Sequence, residues 1–455
     1  MSWTKQDAKK LSDQILSFSK APECEVALAE TSLTHTRFAA NEITTSGSTR
    51  DLSISITSRG EGKSGRVRAN DLDPESLRKA VDLSEELMRS ATPDPESVEG
   101  LGPQSYPEIH SFHQATARAG ALEHRPAVKA ALDEARARKL TASGFSEASL
   151  TTSAIANKKG NFGFHEGTKA SYSTTMRTAD GTGSGWAGFE SPRFGDLKAT
   201  DLAARAARKA LASASPKELP PGAYTVILEP RAVADLLGTF FFSSMSRRQV
   251  DEGRSFLSKP GGENRIGETV FAPSVTLRSD PFDPRLAGRP WVEGSRGGFL
   301  GFGGFGGGGD AGLPSRKTTW VEKGVVKAVP VDRYWAAKNK LDALPFSGSV
   351  VLEGGAGTVD ELIAGTERGL LVTHFFYIRS VNPQTVQLTG LTRDGLWLVE
   401  KGKVVGPVQN FRFNDSPVNV LKNVEAMSAS GPAGSMIAPA IRVRDFKFTS
   451  KSDAV

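Results

Sequence analysis

Residues 359–419 read VDELIAGTERGLLVTHFFYIRSVNPQTVQLTGLTRDGLWLVEKGKVVGPVQNFRFNDSPVN, and this stretch decides how the chain is built. Apolar runs such as GLLV and LWLV alternate with polar turns such as NPQ and EKGK, which predicts a succession of short strands and tight turns. Almost none of these side chains suits catalysis. His374, set beside Phe375 and Phe376, reads as a hydrogen-bonded, partly buried strand residue. The segment therefore speaks for architecture, and any chemistry has to be sought outward from it.

Moving toward the N-terminus, VEKG at Val321–Gly324 echoes VEKG at Val399–Gly402. Apolar residues flank both copies, so each predicts a hairpin turning on Lys-Gly, a dipeptide that tolerates positive φ. Further upstream, AYTVILEP from Ala223 predicts a buried strand, and a helix follows over Arg231–Ser246. The run SPKELPPG, from Ser215 to Gly222, marks a domain boundary. Before it, helices are expected near Pro126–Lys139 and Lys198–Ala214, with Ser/Thr/Gly-rich strands ASYSTTMRT and GSGWAGFES between them. Residues 93–106 read as a Pro/Gly/Glu-rich linker. At the start, Thr4 and Asp7 resemble a capping box, and Ala8, Leu11, Ile15 and Phe18 share a helix face. Asp73-Pro74 opens a second helix as N-cap and first helical residue. Four short strands lie between: CEVALAE, HTRFAANEIT, DLSISITS and SGRVRAN. The reading is α+β: N-terminal helix and antiparallel-sheet layers, then a mostly β C-terminal domain. Its expected units are an α+β domain over 1–92, a linker over 93–106, a central α+β domain over 107–216 and a β-rich domain over 217–455.

Composition narrows the function classes. A chain of 455 residues suits about three domains. No window reaches the roughly 18 uninterrupted apolar residues of a membrane span. Acids and amides interrupt the N-terminal apolar pattern, unlike a signal peptide. The single Cys24 excludes an intramolecular disulfide and suits a reducing, cytoplasmic setting. Net charge is only +6, and the basic run from Lys129 to Lys139 contains Asp133 and Glu134. Without a basic stripe interleaved with aromatics, neither nucleic-acid nor membrane binding is expected.

Four passages together resemble the TldD/PmbA family: RFAANEIT at Arg37–Thr44, GRSFLSKPGGENRIGETV at Gly253–Val270, KTTWVEKGVVKAVPVDRYWAAK at Lys317–Lys338, and the 359–419 stretch with its WLVEKGKVVGPVQNF. The family works as a two-subunit TldD–TldE metalloprotease. The resemblance implies a catalytic subunit with HExxxH on the helix after the first strand of the C-terminal domain, plus a cysteine near the C-terminus. Two helical histidines and a soft third ligand hold Zn²⁺ with one position open for water, and the glutamate serves as general base. Here the matching helix, Arg231–Ser246, has no histidine. Its one carboxylate is Asp235, and Phe240, Phe241 and Phe242 stand where a second ligand would reach. MSASGPAGSMIAPA near the C-terminus offers Met427 and Met436 but no thiol.

The remaining histidines supply no substitute. His110 and His113 form a close pair without an evident third ligand. His165-Glu166 is followed by no second histidine, and no GxSxG elbow is present. The loop GGFLGFGGFGGGGDAG, Gly297–Gly312, lacks the strand–helix context and the Lys-Ser/Thr of a phosphate cradle. Phe299, Phe302, Phe305 and Asp310 are instead the candidate peptide-binding residues, on an apolar flap, the open alternative being a disordered loop whose phenylalanines merely pack down. The expectation is thus a cytoplasmic, non-catalytic TldE/PmbA-like subunit that binds no cofactor itself. It would pair with a TldD-like catalytic subunit carrying the zinc, or with itself, and help process unfolded peptide. A homo-oligomeric peptide binder without protease activity, and an independent peptidase with an unrecognised site, remain open alternatives.

Overall fold

The computed structural model describes residues 3–293 and 310–452. Helix α1 (Lys5–Phe18) begins as its sequence predicts: Thr4 Oγ1 accepts from the Asp7 N–H, and the Asp7 carboxylate accepts from the Thr4 N–H. Three strands follow, β1 (Glu23–Ala39), β2 (Glu42–Gly60) and β3 (Lys63–Ala69), then α2 (Pro74–Ser90). Asp73 caps α2 by accepting from the Ser76 N–H, and Leu77, Val81, Ser84 and Met88 are buried as their shared face requires. One expectation is corrected here. CEVALAE and the first half of HTRFAANEIT are a single 17-residue strand, and the rest of HTRFAANEIT begins β2. Ala40 and Asn41, at φ 51° and 63°, make the tight turn between them.

The central segment adds α3 (Gln114–Ala117), α4 (Ala121–Ala137), β4 (Thr141–Asn157), β5 (Phe162–Arg177), β6 (Ser184–Ser191) and α5 (Ala199–Ala212). β1 pairs with β4 across the linker, so one antiparallel sheet runs β3-β2-β1-β4-β5-β6. α1 and α2 cover one half of one face through Cys24, Val26, Leu28, Ile54 and Ile56. α4 and α5 cover the other half with a close-packed set of alanines against Phe38, Tyr172 and Met176.

The C-terminal unit opens with β7 (Gly222–Leu228), α6 (Pro230–Leu237), α7 (Thr239–Ser244) and α8 (Arg247–Asp251). The single helix expected over Arg231–Ser246 is thus broken. Gly238, at φ −57° and ψ −148°, leaves the helical region between α6 and α7. Next come β8 (Leu277–Ser279), β9 (Thr318–Glu322), β10 (Val325–Val326), α9 (Arg333–Asn339) and β11 (Val350–Leu352). The opening stretch resolves into α10 (Val359–Ala364), β12 (Arg368–Asn382), β13 (Gln387–Glu400), β14 (Lys403–Pro407), β15 (Phe411–Asp415) and α11 (Pro417–Lys422). It is therefore not a run of short strands throughout. Thr358 and Glu361 form a capping box that starts α10, and β12 and β13 form a long antiparallel pair. β16 (Val424–Met427), β17 (Gly431–Ala433), β18 (Met436–Ala438) and β19 (Ile441–Lys451) end the chain.

Pairings β12–β7–β19–β15–β13 return to β12, so these strands close on themselves. Phe375, Phe413, Phe446 and Phe448 pack together within the resulting core. A second sheet, β10-β9-β8-β11-β18-β17, packs beside it. Both VEKG copies are hairpin turns, with Lys323-Gly324 at φ 47° and 82° and Lys401-Gly402 at 50° and 74°. The α+β expectation, with helix/sheet layers first and a mostly β region last, matches this architecture. No described helix is long and apolar enough to cross a membrane.

Candidate functional site

Strand alternation builds the site. In β1, Cys24, Val26 and Leu28 point to the helices, so Glu25, Ala27 and Ala29 point to the opposite face. Register extends that face in rows: Glu25 lies beside Thr57 and Asn157, Ala27 beside Ser55 and Ile155, Ala29 beside Ser53 and Ser153. β3 adds Arg66 next to Thr57 and Arg68 next to Ser55. Short Ala, Ser and Thr side chains leave a trough between the sheet and the C-terminal unit. Trp291, Val292, Ala311 and Gly312 roof a cavity of about 490 Å³ over it.

A second cavity, about 620 Å³, adjoins the first at Arg66. Its floor is Thr57, Arg59 and Ser64; its far wall is Phe242 and Ser243 of α7, Arg248 of α8, Asp310, and Arg333 and Tyr334 of α9. Volumes of this order suit a bound segment or small molecule.

The cleft is strongly charged. Glu25 faces Arg59 at 3.5 Å. Arg248 forks onto Glu96 of the linker with two bonds of 2.7 Å, a geometry that holds the guanidinium firmly protonated. Asp310 is buried and accepts from the Arg333 N–H at 2.9 Å. Burial pushes its carboxyl up to about 6, more than the Arg333 contacts pull it down. The Arg333 guanidinium donates to the Glu99 carbonyl at 2.7 Å, and its own burial lowers its pKa.

Of α6 and α7, where the family resemblance would place a metal motif, α7 walls this cleft through Phe242 and Ser243. Asp235 is committed: one oxygen accepts from Arg231 Nε at 2.9 Å, the other from the Phe375 N–H at 3.0 Å. Burial pushes Asp235 upward against the pull of Arg231. Phe241, Phe242 and Met245 are buried in the main core, with Phe242 against Phe346 at 4.5 Å between ring centroids. Met436 is buried in that core and Met427 packs against it. Among the described residues no three His, Cys, Asp or Glu side chains gather as a metal site. These residues do not fit a catalytic zinc: the segment offers one engaged carboxylate and apolar packing, and a thioether is a poor Zn²⁺ ligand.

The histidines are dispersed. His124 is buried between Thr34 and Ser146. His165 bonds Ser111 Oγ at 3.0 Å, and burial lowers its pKa to about 4. His113 precedes α3, and His110 is exposed beside Glu108. His374 bonds Asp394 at 2.8 Å, and Asp394 also accepts from Ser184 Oγ, tying β12 and β13 to β6. Burial raises the Asp394 pKa, but the bonds to His374 and Ser184 hold it below the usual carboxylate range.

Of the four candidate peptide-binding residues, Phe299, Phe302 and Phe305 lie outside the described residues, as does the Phe240 side chain. Asp310 lines the larger cavity. Sequence reasoning missed Glu25, Arg59, Arg66, Arg248 and Arg333, which meet only through long-range packing. The alternation of small and arginine side chains in GRVRAN was the one local signal.

Profiles described as PmbA/TldA metallopeptidase domain 1, central domain and C-terminal domain match residues 24–88, 101–214 and 221–450. Among solved structures, the fold is similar to TldE from Thermococcus kodakarensis, with 20% identity and a TM-score of 0.82 over 98% of this chain and 100% of that one. A protein described as a candidate modulator of DNA gyrase from Thermotoga maritima shares 18% identity, TM-score 0.81, over 97% and 100% of the two chains. A counterpart with the same kind of description from Bacteroides thetaiotaomicron shares 20%, TM-score 0.83, over 98% and 99%. No curated protein matches the chain.

Proposed function

The chain belongs to the PmbA/TldD family of metallopeptidases, and from that premise we propose that it is a non-catalytic, TldE-like subunit. It pairs with a TldD-like subunit that carries the zinc, and assists that subunit in cutting unfolded peptide. One observation carries the reading. The Arg231–Ser246 segment, which walls the cleft at Phe242 and Ser243, holds no histidine and packs Phe241, Phe242 and Met245 into the core. Chemistry there would require unmaking that core. The trough suits extended peptide, because a sheet face lined by short Ala, Ser and Thr side chains leaves room for varied side chains. The setting is the cytoplasm, which fits one buried, unpaired cysteine. Co-expression with a TldD-like subunit tests the pairing: the two should co-purify in equal amounts through size exclusion. Elution of this chain alone, at every concentration tried, would contradict it.

A further inference from the structure

We propose that the bulge at Phe376–Tyr377 on β12 is the docking surface for the partner subunit, and that the surface it receives is apolar at its centre and ringed by carboxylates. The inference rests on the subunit reading given above. In a regular strand, neighbouring side chains point to opposite faces. Phe375 obeys this and is buried against Phe413 and Phe446. Phe376 follows it outward, 44% exposed, but Tyr377, due inward, is turned outward as well, 57% exposed, so the strand has given up one inward position. The register with β13 shifts between Phe376 and Arg379, and Tyr377 sits at φ 54°. A bulky aromatic in the left-handed region is a strained residue, and such strain persists where it re-aims a side chain for use.

The surroundings define what is received. The Arg379 guanidinium lies over the Tyr377 ring at 4.0 Å, and that of Arg393 over Phe376 at 4.2 Å. Val381, further along the same strand, is 51% exposed. Arg379 donates to the Ile378 carbonyl, and the carboxylate nearest Arg393, Asp394 at 4.0 Å, is already bonded by His374 and Ser184. Arg412, exposed, reaches Thr389 on the neighbouring strand at 3.5 Å. Rigid aromatics centred among arginines are the composition of an interface hot spot, and the positive charge left around them selects acidic neighbours. Each of these two rings already stacks on its own guanidinium, so the patch is prebuilt for a protein surface and less suited to intercalating bases.

The test measures association of the full chain with a purified TldD-like subunit, for wild type, Tyr377→Gly and Arg379→Glu, at low and high salt. Glycine accepts the positive φ, so Tyr377→Gly should keep or raise the thermal midpoint while weakening association about tenfold or more. Arg379→Glu should weaken it comparably, and wild-type affinity should fall with salt. Association unchanged by both variants overturns the docking surface and leaves the subunit reading standing. A wild-type chain that does not associate at all overturns both. Tight binding of a fluorescent single-stranded oligodeoxythymidylate, lost in both variants, would also overturn the proposal by assigning the patch to nucleic acid.

Discussion

Asp310 holds a buried carboxylate against the Arg333 N–H at the rim of the cleft, and its titration is readable in stability. Its folded pKa, about 6, lies above the ordinary 3.8. The folded state therefore binds this proton more tightly than the unfolded state. The stabilising contribution is complete below about pH 4 and is lost as pH rises through about 6. Above that, the buried charge costs up to about 3 kcal/mol. Asp310→Asn keeps an oxygen to accept from Arg333 and never ionises. Thermal melts of both proteins across this range should converge near pH 4, with the variant gaining steadily toward pH 7. A constant offset between the two curves would contradict the burial argument. Residue-scale chemistry was only partly legible from sequence. The absence of histidine from Arg231–Ser246 was plain. That Asp235 is tied to Arg231 and to the Phe375 N–H, 140 positions away, was not.

At the scale of elements, close approach decides what can change. Gly65 of β3 lies against the α2 backbone: a Cβ there would collide with the Ser84 carbonyl and the Met88 amide, neither of which can swing aside. Gly65→Ala should therefore lever α2 off the sheet, with a loss of roughly 2–4 kcal/mol in urea unfolding. A loss under 0.5 kcal/mol, about what an ordinary surface substitution costs, would show that β3 and α2 are not in that contact. Elements governed by local rules were readable: the Thr4–Asp7 box, the Asp73-Pro74 start and the two Lys-Gly hairpins all rest on neighbours in sequence. The Thr358–Glu361 box is equally local and was overlooked beside stronger strand signals. Where one glycine outweighed an otherwise helical pattern, at Gly238, periodicity overran the true boundary. The Phe376–Tyr377 bulge has no sequence signature, because the register shift depends on what β13 pairs with.

At the scale of the molecule, the informative object is the cleft, and it belongs to no single segment. β1–β3 and β4 supply its floor, the linker contributes Glu96, and α7, α8 and Arg333 close it. The six-stranded sheet joins residues on both sides of the 93–106 linker, pairing β1 with β4. Sequence patterns carried the fold class and the family. The charged trough required the register of strands more than a hundred residues apart. In the proposed assembly, this chain shapes and charges the space in which a partner cuts. Its own core occupies the ground where zinc ligands would stand. The most direct measurement is a peptidase titration with unfolded peptide and zinc present: this chain alone, a TldD-like subunit alone, and the two mixed in rising ratio. The account predicts no cleavage by this chain alone, and activity of the mixture that rises and saturates at equal amounts. Zinc-dependent cleavage by this chain alone, abolished by chelator, would contradict it.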